Sequence, residues 1–126
     1  MSEITTAEDL ATYLRDYPEA MALSDADPAD VLDRHHTPDL VWVTDGTVLD
    51  RDRLIAHARP ARRNARSSSV EVHDAIVDGS TVAARYTMRV GRRKGPDVVV
   101  EVVMLGHLAP DGRLRRIDQL TRSLDP

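Results

Sequence analysis

The sequence predicts an α+β fold, with N-terminal helices packed on a curved antiparallel or mixed β-sheet that wraps a pocket. Three observations predict it. The last third holds two strand-like runs, VVVEVVMLGHLAP and RLRRIDQLTRS, joined by Asp111-Gly112. A second pair, Asp78-Gly79, lies between VEVHDAIV and TVAARYTMRV, and Asp-Gly between such runs is the strongest short-range hairpin signal. The first half instead shows helical spacing and helix caps. Four strands in a meander therefore follow a helical first half.

The elements follow in order. Thr5 or Thr6 caps a first helix, with Glu8 or Asp9 in its first turn and Leu10, Tyr13, Leu14 and Tyr17 at helical spacing. Pro18 is expected to end or kink it, and residues 19–24 to add a turn or two. Asp27-Pro28 opens a second helix, with Val31, Leu32, His35 and His36 on its inner side and Pro38 as its stop. LVWVT, residues 40–44, reads as a short strand, Asp45-Gly46 as a turn, and residues 47–49 as the returning strand. Asp50 or Asp52 caps a third helix carrying Leu54, Ile55 and Ala58, interrupted or kinked at Pro60 and ended by Ser67–Ser69. Strands follow at about 69–77, 81–90, 97–108 and 113–122. No repeat or linker divides the chain, so a single domain is expected over residues 1–126.

Alternation assigns the faces. Val82, Ala84, Tyr86, Met88 and Val90 share one face of their strand, with Arg85, Thr87 and Arg89 on the other. The next strand differs. Val98, Val100, Val102, Met104 and Leu108 share one face, but Val99, Val103 and Leu105 occupy the opposite one. Helices cover only the inner face, so the outer one suggests a two-fold homodimer, or else a locally apolar monomer surface.

Composition narrows the function classes. The chain has 126 residues and a net charge of −4, with a pI of about 5.7, which argues against a nucleic-acid binder. It has no cysteine, hence no disulfide or thiol nucleophile. MSEITTAEDL lacks the basic and apolar regions of a secretory signal. No apolar run approaches the roughly 20 residues of a membrane span. A soluble cytoplasmic protein is expected. Lys94 is the only lysine amid many arginines, a bias that reads as bacterial. Trp42, Tyr13, Tyr17 and Tyr86 are the only aromatic residues apart from histidine, so the core is aliphatic and any buried aromatic is a rare choice.

The order of PADVLDRHHTPDLVWVTDG, LDRDRLIAHAR, DGSTVAARYTM and DGRLRRIDQLTRSL resembles the nuclear-transport-factor-2-like cone, specifically its SnoaL-like branch, from about Ala7 to Leu124. The resemblance implies a pocket inside the cone, with working residues pointing inward from the strands. Matching the families of this fold places His36, Trp42 or its neighbour Val43, Tyr86, Met88, Met104, Ile117 and Gln119 inside. A one-residue slip would exchange inward for outward. The carboxylates of the relatives are mostly replaced. Gln119 stands where cyclases and the limonene epoxide hydrolase carry an inward acid, and Met104 matches the oxyanion acid of ketosteroid isomerase. Tyr86 and Met88 match the Arg and Asp of the epoxide hydrolase, and the isomerase base falls near Val43.

The candidate catalytic residues are His36, Asp45 and Tyr86. A histidine suits general-base work near neutral pH, and His36 otherwise reads as a core-edge residue. Its neighbour His35 reads as a surface residue. Asp45 could be a base at the pocket mouth, although its turn explains it fully. Tyr86 could donate to a ligand carbonyl or simply fill the core. Trp42, Met88, Met104, Ile117 and Gln119 are candidate ligand-binding residues; Gln119 can orient a ligand but not move protons. His57, His73 and His107 are scattered, so no metal site is expected. Arg59, Arg62, Arg63 and Arg66 form one basic stripe if the third helix continues past Pro60, either a solvated face or an anion site.

The resemblance thus implies a pocket protein for a hydrophobic small molecule. One expectation is a cofactor-independent isomerase, cyclase or hydratase acting on a polyketide- or steroid-like substrate by proton transfer. The other is a non-catalytic ligand-binding or dimerisation module. No cofactor, nucleic acid or membrane partner is expected.

Overall fold

The structure, a computed structural model, describes residues 3–124. The outermost residues of the expected 1–126 domain and the start of MSEITTAEDL lie outside them. Three helices and six strands follow in the order α1 (Ala7–Leu23), α2 (Pro28–His35), β1 (His36–Thr44), β2 (Thr47–Leu49), α3 (Arg51–Asn64), β3 (Ala65–Asp78), β4 (Thr81–Arg92), β5 (Val98–Leu108) and β6 (Leu114–Ser123). The sheet order is β2-β1-β6-β5-β4-β3. Only β1 and β6 pair in parallel, so the sheet is mixed. Register breaks in β1, β3 and at the end of β5 bend it, since an unpaired extra residue kinks a strand.

Local chemistry sets the boundaries. Thr6 caps α1 in a reciprocal capping box with Asp9. Pro18 does not end α1. The helix runs on to Leu23, and Pro18 gives up only its own N–H bond. Nothing basic lies in the last turn of α1. Arg62 of α3 serves there instead, donating from Nε to the Met21 carbonyl at 2.8 Å and from Nη1 to that of Ala26 at 2.6 Å.

Asp27 caps α2 with Pro28 at its start. The helix ends at His35, so His36 opens β1, earlier than the expected Leu40. Pro38 lies inside β1, in the stretch where register with β6 is broken, the place a strand tolerates a missing donor. Asp45 and Gly46 both have positive φ, 49° and 84°. That is the type I′ pattern, and it pairs Trp42 with Leu49.

Asp50 caps α3, which passes through Pro60. Ser67–Ser69 do not end it; they belong to β3. Small hydroxyl residues accept either conformation, and pairing with β4 decides. The arginine stripe dissolves for the same reason. Arg66 sits on β3 beside Asp97, and Arg62 is turned to α1.

The core fills the concave side. Leu10 of α1, Val31 and Leu32 of α2, Val82 of β4, and Leu114 and Ile117 of β6 are fully buried. The convex side keeps apolar side chains in water. Val103 is 51% exposed and Leu120 69%, and the two face each other across β5 and β6. Among the described residues, no helix is long and apolar enough to cross a membrane.

Candidate functional site

Between α1 and the concave face of the sheet lies a cavity of 180 Å³. Its roof is Tyr13, Leu14, Tyr17 and Pro18 of α1. Its walls are Trp42 of β1, Tyr86 and Met88 of β4, Val100, Val102 and Met104 of β5, and Ile117, Gln119 and Thr121 of β6. The register explains why these face in. Tyr86 pairs with Val102, Ala84 with Met104, and Met104 with Gln119, so one pleat face carries all of them. Trp42 pairs with Ile117 and shares its inward face, which sends Val43 outward.

Trp42, Met88, Met104, Ile117, Gln119 and Tyr86 thus meet at one cavity. The roof was missed in the sequence. Tyr13 and Tyr17 stack with centroids 5.5 Å apart and planes 15° from parallel, and Tyr17 lies 6.0 Å from Trp42. All four residues of type Phe, Trp or Tyr in the chain therefore line this cavity. Their scarcity, together with the four-residue spacing of Tyr13 and Tyr17, was the signal that could have found the roof.

The polar ends are mostly unpaired. The Trp42 indole N–H and the Gln119 side-chain oxygen are buried without a hydrogen-bond partner among the described residues. The Tyr17 and Tyr86 hydroxyls also lack a partner among those residues. Burial pushes the Tyr86 phenol up to about 12 and raises Tyr17 further. Both stay protonated and able to donate at neutral pH.

His36 is completely buried at the α2–β1 junction but is not on the cavity wall. Its Nδ1 lies 2.8 Å from the Leu32 carbonyl, which can only accept. The proton therefore sits on Nδ1, and Nε2 accepts from the Tyr13 hydroxyl at 2.7 Å. Burial pulls its pKa down to about 3, against the opposing pull of the Leu32 bond. Tyr13, itself raised by burial and by Tyr17 and Tyr86, is the group that connects His36 to the cavity.

Asp45 is not on the cavity wall. Its carboxylate accepts from the Thr121 backbone N–H at 2.9 Å and from the Thr121 hydroxyl, and these bonds hold its pKa low. It fastens the β1–β2 turn to β6. His35, expected at the surface, is buried. Its ring lies edge-on to Tyr13 at 5.3 Å, and its Nδ1 has no partner among the described residues. Among those residues, no group of three His, Asp or Glu side chains is placed to hold a metal ion.

A helix-roofed, curved mixed sheet around an apolar cavity defines the α+β cone class of pocket-bearing folds. Within that class the chain belongs to the SnoaL-like domain family, whose model matches residues 14–117. An uncharacterized protein of Schizosaccharomyces pombe is 28% identical over 89 residues, 71% of this chain and 68% of its own length. AclR of Streptomyces galilaeus, described as a candidate hydroxylase, superposes with a TM-score of 0.69 at 15% identity, over 94% of this chain and 91% of its own. A candidate SnoaL-like polyketide cyclase from Jannaschia sp. CCS1 does so with a TM-score of 0.67 at 21% identity, over 92% and 86%. At these identities the structural likeness speaks for the fold.

Proposed function

We propose that this chain binds a compact hydrophobic molecule, about one ring in size, that carries a hydroxyl or carbonyl oxygen. The observation that supports this reading is an apolar cavity whose lining residues carry unpartnered polar ends, above all the Trp42 N–H and the Gln119 oxygen. An unsatisfied buried polar group costs roughly 1–3 kcal/mol. A ligand hydroxyl recovers part of this on both sides, accepting from Trp42 and donating to Gln119. Size follows from volume. A cavity of about 150 Å³ takes benzene, whereas the pockets that hold drug-sized ligands measure roughly 300–1,000 Å³. A steroid or tetracyclic polyketide exceeds 180 Å³. The description of the Jannaschia relative as a candidate polyketide cyclase makes oxygen-bearing rings the first class to test.

Proton-transfer catalysis is the second reading, favoured by the Tyr13–His36 hydrogen bond. A ligand hydroxyl donating to the Tyr13 oxygen would be linked to His36 through one phenol. Against it, a pKa near 3 makes His36 a weak base at neutral pH. No carboxylate lies on the cavity wall among the described residues.

The test uses Trp42, the only tryptophan, as an intrinsic fluorescent reporter. Cyclohexanol, transparent at its wavelengths, is expected to give a saturable change. Methylcyclohexane should bind roughly ten-fold more weakly, and Gln119→Leu should narrow that gap. Equal binding of the two, or no response up to the solubility limit, would overturn the reading.

We also propose that the convex face closes a homodimer. Val103 and Leu120 oppose each other there, with Leu105, Ile76 and Val48 also exposed, and contiguous exposed apolar surface marks interaction sites.

A further inference from the structure

We propose that the ligand has a tail: a polar ring seated in the inner cavity and an aliphatic chain that passes Met88 into a second chamber. This rests on the reading of the inner cavity as a ligand site. A cleft of 350 Å³ lies between α1, α3 and the start of β3. It shares two wall residues with the inner cavity, Pro18 and Met88. The two chambers therefore adjoin at Pro18 and Met88.

The partition is chemically suited to opening. Met88 is unbranched, with several rotatable bonds, and changes rotamer at little cost. Pro18 leaves no backbone N–H at the wall to strand when an apolar chain slides past.

The chambers also differ in what they ask of a ligand. The residues that line the inner one carry an unpaired donor, the Trp42 N–H, and an unpaired acceptor, the Gln119 oxygen. The outer one is lined by small apolar residues, Ala22, Pro60, Ala61 and Ala65, with Val90 beneath. Of the three polar side chains that line it, Asn64 and Arg92 are already engaged, and the Ser68 hydroxyl alone has no partner among the described residues. The Asn64 amide accepts from the Lys94 N–H at 2.8 Å and donates to the Lys94 carbonyl at 3.1 Å. The Arg92 Nε donates to the Pro96 carbonyl at 2.8 Å. A hydrocarbon chain needs no more than that. The polar head goes in and the tail lies outward, and the fitting substrate class is an amphipathic alcohol or ketone with a short alkyl chain.

The experiment is a binding series followed by Trp42 fluorescence and calorimetry. The probes are cyclohexanols bearing methyl, butyl or octyl opposite the hydroxyl. Burial of each added methylene is expected to tighten binding by up to about four-fold, with the gain continuing from methyl to butyl and levelling off once the cleft is full. Met88→Ala should steepen the gain. Ala61→Phe and Ser68→Phe, which fill the outer cleft from opposite sides, should flatten it. If cyclohexanol and its methyl form bind but butyl and octyl do not, in the wild type and in Met88→Ala alike, the tail inference is overturned while the inner site stands. If affinity rises with length but neither phenylalanine variant flattens it, the tail lies elsewhere and the inference is again overturned. If cyclohexanol itself does not bind, the inner-site reading fails first.

Discussion

Protonating His36 would place a positive charge in a dry site whose ring nitrogens are both committed, one to Leu32 and one to Tyr13. The unfolded ring titrates near 6.5 and the folded ring near 3, so the unfolded chain takes the proton first. The contribution to stability is full above pH 6.5 and declines as pH falls toward 3, by up to about 1.4 kcal/mol per pH unit. His35 is drawn the same way by burial, to about 4. Urea midpoints measured between pH 7 and 4.5 should fall steadily. His36→Gln should be less stable at pH 7 but lose less over that interval. A parallel loss in both proteins would mean that the carboxylates, not His36, carry the acid sensitivity.

Arg62 shows how one element completes another. The helix α1 ends without a basic residue of its own, and the α3 guanidinium reaches its last carbonyls across 41 residues of sequence. Arg62→Ala should cost roughly 1–3 kcal/mol. It should also speed amide exchange in the last turn of α1 more than elsewhere, which hydrogen exchange would read directly. Elements of this kind mark the limit of what was legible in the chain. The Asp-Gly turns and the alternation in β4 and β5 were visible because turn chemistry and a period of two are local. Trp42 or Val43 could not be chosen until the type I′ turn set Thr44 against Thr47. The serines of β3 carry little preference, and the sheet edge they extend is a tertiary decision. Tyr13 and Tyr17 were plainly on the buried side of α1, yet nothing local says that this side roofs a cavity and not solid core.

At the scale of the whole molecule, the concave and convex faces make separate demands. The concave face is roofed by helices. The convex face leaves Leu120 69% and Val103 51% exposed. Under the proposed dimer, Val103→Asp or Leu120→Asp should halve the sedimenting mass in analytical ultracentrifugation with little effect on cyclohexanol binding. A wild type that sediments as a monomer at micromolar concentration would remove the interface.

The topology also dictates the order in which the molecule can be made. Within the sheet, β1 touches only β2 and β6, and the Asp45–Thr121 tie joins positions 76 residues apart. On a ribosome, the β1–β2 hairpin must wait, edge open, while β3, β4 and β5 are synthesised. Strand pairings so distant in sequence are slow to nucleate and exposed to misassociation. The lysine-free, arginine-bearing ribbon of β6 is then the keystone, and Trp42 meets Ile117 only when that keystone drops into place.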